Sequence, residues 1–185
     1  MKKIGDITEP TIGLTYKPEN VTTGESGTIV LRSSNIQNSK LSFDDIVRVN
    51  IPIKEEKYVK NGDILMCSRN GSFNLVGKVA MIQQLKEPMS YGAFMTIIRS
   101  NYNPFLFGYF KTPAFREYLI RGKTTTVNQI TVKMLKDIKL PLPPIPLQQD
   151  FAEKMETIEQ QKVKIDSTIK DLETLLASRM QYWFD

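Results

Sequence analysis

Residues 140–154 read LPLPPIPLQQDFAEK, with prolines at 141, 143, 144 and 146, and charged, helix-forming sequence follows at once. Each proline fixes its own φ and pushes its predecessor out of the helical region. The segment is therefore expected to be an extended, semi-rigid strut. A helix should start near Gln148, with Asp150 and Glu153 in its first turns, where carboxylates complement the helix dipole. A flexible tether would use Gly and Ser. Prolines set the direction in which a helix leaves the domain before it.

The sequence after the strut has the seam of a coiled coil. With heptad position a at Met155, the a positions are Met155, Lys162, Ile169, Leu176 and Trp183. The d positions are Phe151, Ile158, Ile165, Leu172 and Arg179. The remaining positions are mostly polar or charged, so the apolar stripe is narrow, as in a coiled coil, where a helix packed on its own domain shows a wider face. Lys162 and Arg179 break the stripe, and polar residues at such positions set register and partner number. A lone helix of this kind is marginal in water and wants a partner. Met155, Ile158, Ile165, Ile169, Leu172 and Leu176 are the expected dimerisation residues.

Charge divides at the same place. Residues 148–185 hold five Lys/Arg and eight Asp/Glu, a net of −3, within a chain of net charge +5. The body before the helix is thus basic, at +8, which suits an anionic partner, although solubility alone accounts for it equally well. The 185 residues contain no histidine and one cysteine, Cys67. That removes histidine-based catalysis and most zinc sites, and it excludes an internal disulfide. A reducing cytoplasm is the expected location. No run of 18 apolar residues and no apolar signal segment occurs, so no membrane partner is expected. No cofactor or metal site is read.

The first hundred residues are punctuated like a β-rich domain. TIVLRSSNI (28–36), DILMCSR (63–69), LVGKVAMI (75–82) and FMTIIRS (94–100) are strand-length apolar runs set among Gly, Asn and Ser. NGD at 61–63 signals a turn before a strand, and RNGS at 69–72 a tight hairpin loop. Residues 103–120 change to helical spacing, with Pro113 opening a second helix, and DIKLPLP ends the domain as a strand. The fold class is α+β: a mixed, β-rich domain with a few helices over residues 1–147, then one long coiled-coil helix over 148–185.

Several motifs occur in a fixed order: GDI (5–7), GLTYKP (13–18), LRSSNI (31–36), GDILMCSRNGSFNLVGK (62–78), GKTTTVNQIT (122–131) and LPLPPIPLQQ (140–149). In this order, and running into the heptads, they resemble one half of a type I restriction–modification specificity (S) subunit. A full subunit of that family resembles two such halves in tandem, and this chain has one, without internal repeat. The resemblance implies a non-catalytic half-length form that binds one half of a bipartite double-stranded DNA target. It also implies docking to the methyltransferase (M) subunit, assembly with the restriction (R) subunit through that complex, and homodimerisation through the helix.

Three polar segments are candidates for DNA contact. Arg69, Asn70 and Ser72, with Lys78 just beyond, offer Arg and Asn, the side chains suited to guanine and adenine edges. Turn geometry explains Asn-Gly equally. Lys123, Thr124, Thr125, Asn128 and Gln129 suit phosphate contacts, or a helix cap. Arg32, Ser34 and Asn35 close a strand and are DNA contacts or a solvated strand end. The aromatics at 102–118 follow helical spacing and read as core. Two rival functions stay open. One is a non-catalytic docking adaptor with a basic domain. The other is a magnesium-dependent nuclease built on Asp45, Glu55 and Lys57, a D…E-x-K pattern.

Overall fold

Ile64, Leu65, Met66 and Cys67 are each 0% exposed, and the two-residue period of a strand explains how four consecutive side chains are all covered. Ile64 and Met66 enter one apolar cluster, with Leu106, Phe110, Phe115, Leu119 and Leu135. Leu65 and Cys67 enter another, with Ile29, Leu31, Met89 and Tyr91. A strand apolar on both faces belongs in a middle layer, and the remaining elements cover its two faces.

The computed structural model describes residues 1–122 and 127–184. Its strands are β1 (Lys2–Lys3), β2 (Thr11–Ile12), β3 (Val21–Thr22), β4 (Thr28–Leu31), β5 (Ile36–Gln37), β6 (Lys40–Leu41), β7 (Arg48–Val49), β8 (Ile64–Cys67), β9 (Val79–Met81), β10 (Met89–Tyr91), β11 (Met95–Ile98) and β12 (Lys139–Leu140). Its α-helices are α1 (Asn103–Phe110), α2 (Pro113–Arg121), α3 (Val132–Asp137) and α4 (Ile145–Phe184). One four-stranded sheet runs β2-β11-β8-β9, antiparallel throughout. A second runs β10-β4-β7-β3, with β10 and β4 parallel. The first sheet has α1, α2 and α3 on one face and the second sheet on the other, and each interface is one of the two clusters. β12 pairs with β1 and returns the chain to its start.

The helical spacing of 103–120 resolves into α1 and α2. Pro113 opens α2, and the Thr112 hydroxyl caps it by accepting the Phe115 N–H at 3.3 Å. Phe110 and Phe115 are core residues, their ring centroids 4.9 Å apart.

The 69–72 hairpin expectation is corrected. β8 and β9 do pair, but residues 68–78 form a long connection between them. Asn70 and Gly71 do not take the left-handed conformation of a two-residue turn. Instead the Asn70 carboxamide oxygen accepts the Ser72 N–H at 2.9 Å, an Asx turn that needs no positive φ.

The chain divides into two compact units, Met1–Pro143 and Pro144–Asp185. The second is α4, 40 residues of helix, or about 60 Å of rod at 1.5 Å per residue. It starts at Ile145, ahead of Gln148, and so takes in Pro146. A proline in the first turn leaves no helical bond unmade, because those N–H groups lack partners anyway. The Pro144 carbonyl accepts from the Leu147 and Gln148 N–H groups at 3.0 and 3.2 Å. Met155 lies on this helix, and Ile158, Ile165, Ile169, Leu172 and Leu176 are 45–63% exposed along it. None of the described helices is long and apolar enough to cross a membrane.

Candidate nucleic-acid interface

Strand pairing brings four separate segments to one edge of the globular unit. Cys67 pairs with Met95, so the chain leaving β8 lies beside the turn at residues 92–94 that enters β11. Leu31 pairs with Tyr91, and the Gly92 N–H donates to the Leu31 carbonyl at 2.9 Å, so the chain leaving β4 meets the same turn. Residues 128–130 zip onto the loop after β8. Ile130 N–H donates to Ser68 O at 2.8 Å, Asn70 N–H to Asn128 O at 3.2 Å, and Arg69 and Gln129 form an antiparallel bridge.

Side chains knit the segments together. The Asn70 amide donates to the Ser33 hydroxyl at 3.1 Å, and the Asn128 amide to the Gly71 carbonyl at 2.8 Å. Arg69 is exposed, and its guanidinium lies 5.3 Å from the centroid of the Phe94 ring. Phe94 is 56% exposed at the tip of the 92–94 turn. The sequence reading took Phe94 as the first residue of the 94–100 strand, whereas β11 begins at Met95 and leaves Phe94 in the turn; only the β8–β11 register makes it a neighbour of Arg69.

Arg69, Asn70, Ser72, Asn128 and Gln129 therefore share this edge, and Ser33 joins them. Arg32 and Ser34 sit in the segment that follows β4. The Arg32 guanidinium bonds Asp45 at 2.7 Å, while its buried Nε has no hydrogen-bond partner. Ser34 is half-buried, and its carbonyl accepts from Gln37 at 3.1 Å. Lys78 stands at the other end of the 68–78 connection, its carbonyl accepting the Cys67 N–H at 2.9 Å. Lys123, Thr124 and Thr125 lie outside the described residues.

Asn35 is withdrawn from the candidates. It is 1% exposed and ends a short 3-10 turn, Ser33–Asn35, that closes β4. Its oxygen accepts the Arg32 N–H at 2.8 Å, and its amide donates to the Ser42 and Asp45 carbonyls at 2.9 and 3.0 Å. Every polar atom of that side chain is committed to holding the 32–45 loops. Two of the D…E-x-K residues are engaged too: Asp45 with Arg32, and Lys57 with the Ile12 carbonyl at 2.6 Å.

Beneath the edge, burial pushes the Cys67 thiol up to about 11, against smaller opposing effects of the Arg69 carbonyl, Lys78 and Asn70. A thiol held protonated is a packing residue and not a nucleophile.

Residues 1–174 match the family described as the type I restriction modification DNA specificity domain. The chain belongs to this family. It is 30% identical over 173 residues to the type I restriction enzyme EcoKI specificity subunit of Escherichia coli (strain K12), a match covering 89% of this chain and 36% of that protein. It is 29% identical over 180 residues to the StySPI specificity subunit of Salmonella potsdam, covering 93% and 38% respectively. The chain thus spans little more than a third of the length of these curated relatives. Among solved structures, the HsdS subunit of Thermoanaerobacter tengcongensis shares the fold at a TM-score of 0.62 and 18% identity, over 86% of this chain and 37% of that one. A chain from work on complex assembly and conformational transition of the type I R-M system superposes at a TM-score of 0.69 and 18% identity, over 89% and 39%.

Proposed function

We propose that this specificity-domain chain recognises one half of a bipartite double-stranded DNA target. It does so as the non-catalytic part of a cytoplasmic type I restriction–modification complex, whose chemistry belongs to the methyltransferase and restriction subunits it docks. The observation that carries the reading is the convergence, on one edge of a basic unit, of Arg69, Asn70, Ser72, Asn128 and Gln129. Such side chains bond base edges and phosphates, and within a DNA specificity family a polar edge of this kind is best read as the DNA face. Residues 1–147, which are the unit Met1–Pro143 and the first turn of α4, serve as the recognition domain, and residues 148–185 as the spacer and dimerisation helix.

In this reading the stripe of α4 pairs with a second copy, placing two recognition units on one duplex. Two identical halves in a symmetric dimer call for a palindromic, interrupted target, with half-sites about one helical turn apart or more. Leu172→Asp puts a charge in that seam and should convert the dimer to a monomer in light scattering; an unchanged mass removes the helix from dimerisation.

Genome-wide adenine methylation in the source cell, with and without the gene, tests the main reading. One interrupted motif should lose its methylation when the gene is deleted. If no motif changes, the docking-adaptor reading takes its place. Salt dependence separates the two in vitro, because duplex binding through Z phosphates falls with a log–log slope of about −0.9Z.

A further inference from the structure

Residues 1–143 contain six arginines. Five of them are tied to oxygen: Arg32 to Asp45, Arg48 to Glu87, Arg99 to Asp63, Arg121 to Glu117, and Arg116 to the Phe73 and Val76 carbonyls. Arg69 is different. Among the described residues its guanidinium has no oxygen partner, and its contact is the Phe94 ring at 5.3 Å. The backbone anchors both residues, with the Ser68 and Arg69 N–H groups donating to the Phe94 carbonyl at 2.9 and 3.1 Å. On its other side Arg69 bridges Gln129. The frame is bonded on both sides and the two side chains project from it.

A cation–π contact draws on the charge of a guanidinium and consumes none of its N–H donors. An aromatic ring thus holds Arg69 in place without consuming the bonds by which it would read a base. That is the arrangement a bidentate contact to guanine O6 and N7 requires. The ring itself is half in water. The apolar feature of the major groove that suits an exposed phenyl group is the 5-methyl of thymine. Successive bases on a strand are about 3.4 Å apart, and the 5.3 Å between Arg69 and the Phe94 ring is a spacing that suits neighbouring bases better than distant ones.

We propose that Arg69 and Phe94 form a single subsite for adjacent thymine and guanine in the target half-site, Arg69 taking the guanine edge and Phe94 the thymine methyl. The inference rests on the reading of this chain as a DNA-recognition unit.

The methylation experiment supplies the motif. A duplex carrying it is then made in three forms: unmodified, with deoxyuridine for the thymine, which removes only the methyl, and with 7-deazaguanine, which removes only N7. Binding is read by fluorescence anisotropy with the full chain in complex with its methyltransferase. One half of the motif should contain thymine next to guanine, and each replacement should weaken wild-type binding by about fivefold or more. Phe94→Ala should lose the response to deoxyuridine and keep the response to 7-deazaguanine, and Arg69→Ala should do the reverse. Phe94→Leu, which keeps an apolar contact, should retain part of the methyl response. A motif without the two bases adjacent, or a wild-type complex indifferent to both replacements, overturns the subsite while specific binding leaves the recognition reading standing. If no motif depends on the gene, the recognition reading falls and the subsite with it.

Discussion

Arg69 and Arg99 flank opposite ends of the same strand pair, since Cys67 meets Met95 at one end of β8–β11 and Ile64 meets Ile98 at the other. Their surroundings differ in kind. Arg99 places its Nε and a terminal nitrogen on the two oxygens of Asp63, at 2.7 and 2.6 Å, and the Asp63 side chain is 2% exposed. Asp63 also accepts the Lys60 N–H at 2.7 Å, and nearby Asn103 donates to the Gly62 and Ile98 carbonyls at 2.6 and 2.9 Å. At that end a bidentate pair and its supporting bonds close the sheet. At the other end Arg69 lies over the Phe94 ring, and among the described residues no oxygen takes its guanidinium donors. One end of the sheet ties its arginine to a carboxylate, and the other sets its arginine over a ring. A buried carboxylate beside a guanidinium fills the fork; a ring positions it without filling it.

Substitutions at the two ends should separate stability from binding. The largest stability effect is expected at the closed end. Asp63→Asn removes the charge from the Arg99 fork and should cost about 2–3 kcal/mol, discounted for the partial exposure of Arg99. Chemical denaturation measures it, and DNA affinity per folded molecule should be unchanged. Gly77→Ala comes next. Gly77 has a φ of +84°, and a Cβ there would meet Leu119 Cδ1 at 2.4 Å, so a loss of about 1–3 kcal/mol is expected from strain and overpacking. A wild-type melting temperature would mean that α2 moves away freely.

The thiol under the open end gives a smaller, pH-dependent effect. Its pKa is raised to about 11 from an ordinary 9.0, so the folded state holds the proton more tightly than the unfolded state does. This contribution to stability is fully present below pH 9 and is lost as pH rises toward 11. At pH 8, alkylation of native Cys67 should run at least about a hundredfold slower than in denaturant, from thiolate fraction alone. Rapid native labelling would show that the reading edge opens. The smallest stability effect is Arg69→Ala, within about 0.5 kcal/mol of wild type, against a loss of about 1–3 kcal/mol in specific binding. A melting temperature that drops with Arg69 would make it a structural residue like Arg99.

Much of this was legible before any coordinates. The heptads at 151–183 appear as one continuous helix, because apolar residues at three- and four-residue steps over five repeats fit a helix and no strand. The apolar runs at 63–69, 75–82 and 94–100 contain β8, β9 and β11, and Pro113 does open a helix. The misreadings have local causes. Asn-Gly is the commonest hairpin signal, but the Asn70 side chain supplied its own turn, so the loop could run on to residue 78. Pro146 looked like a helix barrier and sits in a first turn, the one place where its missing donor is harmless. Asn35 looked like a solvated strand end and is a buried clasp, because a short polar side chain can satisfy loop carbonyls as readily as water or a base.

Periodicity, proline placement and motif order were sufficient for the element types, the division into a basic body and a helical rod, and the family. These are properties of near neighbours in the chain, where backbone sterics and side-chain period act over a few residues. Pairing across the chain is of another kind. The register of β8 on β11, of β4 on β10, and of residues 128–130 on the loop after β8 set Arg69 against Phe94 and Asn70 against Ser33. Register follows from how two faces of apolar side chains fit between three layers, a condition on residues far apart in sequence. For that reason the folded chain alone distinguishes the arginine that is closed by a carboxylate from the one set over an aromatic ring.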